Sequence, residues 1–166
     1  MKFNFYFIHG WGFDETFWEP LKKKIESLEI CRSIECLDLN FFSKQKQKKF
    51  NCVSNDNIFI VHSYGLNWFL KKKLRCKLLI NFFGAPDFVN IQKSPNSVKK
   101  RITKMNQMLK INPKKVLNNF YKMCNVDFVY KKEINIQKLS KALHELRKLN
   151  LSKELKYLDF RIFISH

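Results

Sequence analysis

Short apolar runs alternate with polar and amphipathic stretches along most of the chain. The clearest runs have the near-continuous apolar character of strands buried on both faces of a parallel sheet. The predicted strands are Phe3–Ile8, Ile34–Leu39, Ile58–Val61, Leu78–Phe83 and Phe160–Ser165. Two intervening segments, Glu15–Leu28 after a capping Asp14 and Leu66–Lys73, favour helices, whereas Ser43–Lys49 favours an exposed connection. Strands that alternate with helices predict an α/β fold with a mostly parallel sheet.

The pattern changes near Ser94, where helical spacing replaces the apolar runs. One stripe is formed by Val98, Ile102, Met105 and Leu109, and another by Ile136, Leu139, Leu143 and Leu146. Between them, Asn112 and Pro113 have the residue types of an N-cap and a first helical position. We therefore predict a helical cap over 93–150, inserted between a core segment 1–92 and a return to the core over 151–166.

The glycines of this chain are few, and they follow predicted strands. Gly10, Gly12, Gly65 and Gly84 all come just after the carboxyl end of a strand. In a chain poor in glycine, we expect these residues where a positive φ or a close backbone approach leaves no substitute. Ligands of open parallel sheets bind at that edge, so the pattern predicts a site there.

A serine stands at the centre of this predicted edge. The strand Ile58–Val61 leads into His62 and Ser63, and Gly65 opens a helix. Strand, sharp turn and helix form the setting of the G-x-S-x-G nucleophile motif, although Val61 replaces its first glycine.

Acyl transfer also needs donors for the oxyanion. The loop from His9 through Gly10 to Gly12 is placed to aim the amide of Trp11 at the same point as the amide of Tyr64. The predicted site therefore has Ser63 as nucleophile and these two amides as the oxyanion hole.

Composition narrows the choice of partners. The net charge is +18, from 32 Lys and Arg against 14 Asp and Glu, but the heavy use of Lys, Asn, Ile and Phe fits a coding bias that needs no basic partner. A basic nucleic-acid-binding module stays as an alternative, without a recognised motif to support it.

The five cysteines contain no C-x-x-C pair, which predicts neither a zinc site nor a disulfide framework. Without a readable signal peptide or membrane span, we expect a cytoplasmic protein that uses no cofactor or metal.

The motifs together resemble those of the α/β-hydrolase superfamily. The resemblance rests on the phrase from His9 to Phe13, on Val61 to Gly65, and on the helical insertion after the fourth strand. The phrase from Leu143 to Leu151, leading into Phe160–Ser165, is also similar to the passage from cap to penultimate strand in that superfamily. Within it the chain is most similar to the biotin-pathway esterases that cleave pimeloyl-acyl-carrier-protein methyl ester.

The resemblance implies a serine carboxylesterase whose cap receives the acyl chain and the carrier protein. Ser63 would be the nucleophile, and the amides of Trp11 and Tyr64 the oxyanion hole. An acidic carrier protein would suit basic residues of the cap, which include Lys99, Lys100, Arg101 and Lys104. We expect neither a membrane nor nucleic acid as partner.

The same resemblance implies an acid after the strand Phe160–Ser165 and a histidine beyond a further strand and helix. We therefore expect a chain truncated before its last strand and helix, and a catalytically inactive fragment is the alternative to an active esterase. Asp87, after the fourth strand, is a weak candidate for the acid. His62 is predicted to point away from Ser63, His144 belongs to the cap, and His166 would lie two strands away.

Overall fold

The computed structural model describes residues 1–42, 56–130 and 133–156, together with the backbone of 161–165. Its strands are β1 (Phe3–Ile8), β2 (Cys31–Leu37), β3 (Asn57–His62), β4 (Leu78–Phe82) and β5 (Arg161–Ser165). They form one sheet in the order β2-β1-β3-β4-β5, and every neighbouring pair is parallel. The predicted α/β fold with a mostly parallel sheet is confirmed. The predicted connection Ser43–Lys49 and His166 lie outside the described residues.

Strand β2 begins three residues earlier than the sequence pattern predicts. Its register pairs Phe3 with Cys31 and Ile8 with Leu37. Arg32 and Ser33, near its start, are exposed. Because β2 ends the described sheet, polar side chains there meet solvent, and the apolar pattern misses them.

The described helices are α1 (Glu19–Glu26), α2 (Tyr64–Lys71), α3 (Pro95–Ile111), α4 (Pro113–Met123), α5 (Ile136–Lys148) and α6 (Ser152–Lys156). The predicted helix Glu15–Leu28 divides into a 3₁₀ turn over Glu15–Trp18 and α1. Pro20 explains the division, because proline has no N–H to donate and fits only the first turn of an α-helix. Asp14 caps this segment as predicted, and its carboxylate accepts the N–H of Thr16 at 2.9 Å.

Buried apolar side chains cover both faces of the sheet. On one face the core contains Phe5, Phe7, Trp18, Ile25, Ile58 and Ile60. The other face contributes Ile8, Phe59, Val61 and Leu79, which join the buried residues of α2 and of the cap. Alternation along β1 and β3 divides the apolar residues between these two cores, which explains why the strands read as unbroken apolar runs.

Helices α3, α4 and α5 follow β4 and lie within the segment predicted as a cap. Helix α3 packs against both α4 and α5. Val98, Ile102 and Leu109 of the predicted stripe are buried. Asn112 caps α4 by accepting the N–H of Lys115 at 3.0 Å, and Pro113 is the first helical residue, as predicted. Among the described helices, none combines the length and apolarity that crossing a membrane requires.

Candidate active site

Ser63 lies at the turn between β3 and α2, at the carboxyl edge of the sheet. Its backbone has φ 50° and ψ −117°, a conformation that costs a non-glycine residue about 1–3 kcal/mol. The turn is held from both sides, because the N–H of Ser63 donates to the carbonyl of Phe82 at 2.8 Å and its carbonyl accepts the N–H of Leu66 at 3.1 Å. A strained serine between a strand and a helix is the arrangement that displays a hydroxyl as a nucleophile.

Val61 occupies the position where the motif has its first glycine. This side chain is fully buried, and the residue keeps its register with Ile8 of β1 and Asn81 of β4. The strand continues to His62 before the chain turns. A β-branched residue is therefore accommodated inside the sheet, and the sharp turn is confined to Ser63.

Glycines allow the first loop and α2 to approach the turn at Ser63. A Cβ on Gly10 would lie 2.6 Å from Nδ1 of His62 and 3.1 Å from Cβ of Ser63. A Cβ on Gly65 would lie 2.6 Å from the carbonyl oxygen of Ile8, too close for any side chain. Gly84 borders the same turn from the β4 side, where its Cβ would lie 2.9 Å from the carbonyl oxygen of Ser63. The structure thus brings three predicted strand ends together around one serine.

The candidate oxyanion donors belong to the two elements that meet here. Tyr64 is the first residue of α2, where the N–H groups have no acceptor within the helix. Trp11 directly follows Gly10, where an added Cβ would lie 3.1 Å from Cβ of Ser63. Backbone N–H groups at a helix N-terminus and in the loop after the first strand are the two donors that such a site uses for a tetrahedral intermediate.

His9 holds the first loop in place. Its buried ring accepts the N–H of Leu39 on Nε2 at 2.9 Å, and Nδ1 lies 3.0 Å from the carbonyl of Gly10. Because Nε2 is an acceptor, the ring proton is on Nδ1 and is donated to Gly10. The 3.5 Å approach of Asp38 to Nε2 is therefore not an ion pair. His9 is a structural link between the loops that follow β1 and β2.

His62 lies in an aromatic environment beside the serine. Its ring stacks on Phe17 at 4.7 Å and meets the edge of Phe13 at 5.6 Å. Burial lowers the pKa of His62 to about 4, so the ring is neutral at pH 7. Nδ1 is buried and has no hydrogen-bond partner in the part of the chain that the structure describes. Nδ1 therefore makes no hydrogen bond to Ser63, and the opposite direction of the two side chains stays a prediction from strand alternation.

The remaining candidate acid and base, Asp87 and His144, are not hydrogen-bonded to Ser63 in the described part of the chain. Asp87 is buried in the turn after β4, where its carboxylate accepts the backbone N–H of Asn90 at 3.2 Å and its side-chain amide at 2.8 Å. His144 is exposed on α5. Over the described ranges, neither residue shows a hydrogen bond to Ser63, and no three His, Cys, Asp or Glu side chains are grouped to hold a metal.

The cap is attached to the site by hydrogen bonds from aromatic side chains. The indole N–H of Trp11 donates to the carbonyl of Leu139 at 2.9 Å, and the hydroxyl of Tyr121 donates to the carbonyl of Gly12 at 2.5 Å. The hydroxyl of Tyr64 donates to the carboxylate of Glu145 at 2.6 Å. Both residues whose amides form the candidate oxyanion hole therefore contact α5 through their side chains.

Glu145 is a buried carboxylate that sequence reasoning did not single out. Its other oxygen accepts Nζ of Lys71 at 2.6 Å. Burial raises the pKa of Glu145, but the hydrogen bonds from Lys71 and Tyr64 outweigh it, and the pKa lies below its usual value. Burial and the neighbouring carboxylate together raise the pKa of Tyr64, so its hydroxyl stays protonated as the donor. The sequence signal was weak, since a single glutamate in a basic helix is normally exposed to solvent.

Comparison with known proteins identifies the fold. No protein-family model and no curated protein matches the sequence. Among solved structures, the crystal structure of E-2-(acetamidomethylene)succinate hydrolase matches 99% of this chain and 72% of its own, with a TM-score of 0.57 and 12% sequence identity. That enzyme is an α/β-hydrolase. At this identity the likeness establishes architecture, and the chain has the α/β-hydrolase fold.

Proposed function

We propose that this chain is a serine-dependent hydrolase of carboxylic esters with Ser63 as its nucleophile. The observation that carries the proposal is the strained backbone of Ser63, at φ 50° and ψ −117°, in contact range of Gly10. Strain of this kind persists where the surrounding structure fixes it, and it concentrates at functional sites. The α/β-hydrolase fold supports the same conclusion, because its nucleophile stands at this turn.

In the proposed reaction, Oγ of Ser63 attacks the ester carbonyl carbon and forms a tetrahedral intermediate. The carbonyl oxygen takes the negative charge and accepts the N–H groups of Trp11 and Tyr64. Collapse of the intermediate breaks the bond to the alcohol oxygen, which takes up the proton that Oγ of Ser63 loses, and leaves an acyl group on Ser63. Water then attacks the acyl carbon, releases the carboxylic acid and restores the hydroxyl. The sequence of steps needs no metal or cofactor.

The surroundings of Ser63 favour an apolar acyl group. Phe13 and Phe17 lie around His62, and Phe13 also contacts Phe120 of the cap at 5.8 Å between ring centroids. Phe83, at the end of β4, is 61% exposed and lies 6.3 Å from the ring of His62. An exposed aromatic side chain beside His62, the residue that precedes the nucleophile, supports binding of a hydrocarbon chain rather than a charged one.

A finer proposal follows from the resemblance to biotin-pathway esterases. The substrate would be the methyl ester of a pimeloyl group on an acyl carrier protein, and the alcohol released would be methanol. Lys100, Arg101 and Lys104 are exposed along α3 and Lys99 is half-buried there. They would attract an acidic carrier protein to the cap through long-range electrostatics, in the cytoplasm where such carriers act.

A fluorophosphonate probe tests the nucleophile. We expect one label per chain on the peptide that contains Ser63, and we expect Ser63→Ala to abolish both labelling and hydrolysis of p-nitrophenyl butyrate. Ser94→Ala, an exposed serine before α3, is the matched control and should keep both. Labelling that survives Ser63→Ala, or a folded protein that is never labelled, would refute the assignment.

The carrier protein requires its own experiment. Lys100→Glu with Arg101→Glu should raise the KM for the carrier-bound methyl ester at low salt and leave kcat unchanged, because steering acts on association. Lys23→Glu with Lys24→Glu, exposed on α1, is the control of similar charge change. An equal KM effect in both double variants would reject the cap as the carrier surface while leaving Ser63 as nucleophile.

A further inference from the structure

A second concave site lies between α2 and α5, apart from Ser63. It is a cavity of about 290 Å³ whose walls come from both helices and from the segment after β2. Tyr64 lines it, whereas Ser63, His62 and Gly10 do not. Its size is close to that of sites for small organic ligands, which start at roughly 300 Å³.

The walls of this cavity are strongly basic. Lys71 and Lys72 come from the end of α2, and Lys138 and Lys141 come from adjacent turns of α5. The carboxylate that lines it, Glu145, already accepts Lys71 and the hydroxyl of Tyr64 at 2.6 Å each. The four lysines are exposed at the rim of the cavity, and one engaged carboxylate balances only part of their charge.

The position of Lys138 adds to the excess of positive charge at the cavity. It lies in the first turn of α5, where its backbone N–H donates to the capping Asn135 at 3.2 Å. Partial positive charge accumulates at a helix N-terminus, so a cation there is electrostatically unfavourable. An anion in the cavity would relieve both effects.

The cavity also has an aromatic wall. Trp68 and Phe41 line it, and Nζ of Lys72 lies 5.7 Å from the centroid of the Trp68 ring. An indole ring next to the ammonium group of Lys72 suits a ligand with a flat apolar body and a charged end.

We infer that this cavity binds an organic phosphate, with the phosphoryl group among the lysines and an aromatic body against Trp68. A phosphate dianion carries more negative charge than a carboxylate and can accept hydrogen bonds from several lysine ammonium groups at once. The inference does not rest on the proposed esterase activity, because binding involves no chemistry at Ser63, although the side chain of Tyr64 lines the cavity and its amide belongs to the candidate oxyanion hole.

Isothermal titration of the whole chain with phenyl phosphate tests the inference. We expect a 1:1 complex that Lys138→Ala with Lys141→Ala weakens at least about tenfold. Lys114→Ala with Lys115→Ala removes the same charge from exposed positions in the first turn of α4 and should leave the affinity unchanged. Equal weakening by both pairs would show general attraction to a basic protein and overturn the site.

Two further probes separate the phosphate from the aromatic body. Trp68→Leu should weaken phenyl phosphate and leave inorganic phosphate unaffected, while benzoate should bind less tightly than phenyl phosphate to the unaltered chain. Benzoate that binds as tightly as phenyl phosphate would overturn the choice of phosphate. Circular dichroism of each variant verifies that it is folded. A folded Lys138→Arg, Lys141→Arg variant should keep binding, since the charge is retained.

Discussion

The turn at Ser63 and the attachment of the cap are adjacent, yet they are held by different forces. The turn is fixed by backbone hydrogen bonds at 2.8 and 3.1 Å and by glycine contacts with the carbonyl of Ile8. The cap is attached through side chains, with Trp11, Tyr64 and Tyr121 each donating one hydrogen bond across the boundary. The turn at Ser63 has no room for an added atom. The attachment of the cap, in contrast, can lose its hydrogen bonds one at a time.

This difference indicates how the two regions respond to substitution. Strain at Ser63 needs a rigid support, which close-packed backbone supplies. Under the proposed function, the predicted cap has to release contacts for substrate to enter, and side-chain hydrogen bonds of about 1 kcal/mol each can be released. Substitutions in the turn should therefore destabilise the whole chain strongly. Substitutions at the cap boundary should each lower the free energy of unfolding by a smaller amount.

Gly65→Ala should have the largest effect. The new methyl group would lie 2.6 Å from the carbonyl oxygen of Ile8, so α2 would have to move away from β1. We expect a loss of about 3 kcal/mol in the free energy of unfolding, as for severe overpacking. Urea denaturation measures it, and Asn118→Ala, exposed on α4, is the control for helix propensity. A Gly65→Ala chain as stable as the parent would disprove the tight packing of α2 on β1.

The close approach at Gly65 was largely predictable from the sequence. Buried parallel strands appear as apolar runs, and glycines placed after those runs indicate where backbone segments meet. This reasoning located Gly10, Gly65 and Gly84 at one edge. It could not place the start of β2, because solvent-exposed Arg32 and Ser33 break the apolar pattern.

The cap contacts could not be predicted in the same way. The partners Tyr64 and Glu145 are 81 residues apart in the chain, and nothing local marks a glutamate as buried. Pairings that depend on tertiary geometry leave no periodic signal in the sequence.

Glu145→Ala should have the next largest effect. It would leave the hydroxyl of the buried Tyr64 without its acceptor and would release Lys71. We expect a loss of about 2 kcal/mol in the free energy of unfolding, because the bond to a charged acceptor is lost and a buried donor is left unpaired. Thermal and urea unfolding measure it.

The matched variant for this position is Glu145→Gln. Its amide oxygen can still accept the hydroxyl of Tyr64, so it should recover about half of the loss. The double variant Glu145→Ala, Tyr64→Phe should also be more stable than Glu145→Ala alone, since no donor is then orphaned. Strict additivity of Glu145→Ala and Tyr64→Phe would mean that the two groups do not interact in solution.

Acid should destabilise the chain through His62. Its pKa falls from an ordinary 6.5 to about 4 on folding, so the unfolded chain binds the proton first as the pH drops. Well above pH 6.5 the residue has no effect, and the penalty grows as the pH falls through 6.5 towards 4. From roughly pH 7.5 to 5.5 this amounts to about 1.5 kcal/mol. His62→Phe, which preserves the aromatic packing, should lose this part of the pH dependence, whereas the exposed His144→Gln should retain it.

Tyr121→Phe should have the smallest effect of the four. Tyr121 is buried, its hydroxyl donates to the carbonyl of Gly12, and its ring packs against Phe13 at 5.7 Å. The substitution keeps the ring and removes one neutral hydrogen bond, so we expect a loss of about 1 kcal/mol in the free energy of unfolding. Because Gly12 belongs to the loop that carries Trp11, the variant should also speed amide hydrogen exchange in that loop before it affects β3. Exchange that rises equally in the loop and in β3 would contradict a local role, since a bond confined to the cap boundary should loosen only the segments that it joins.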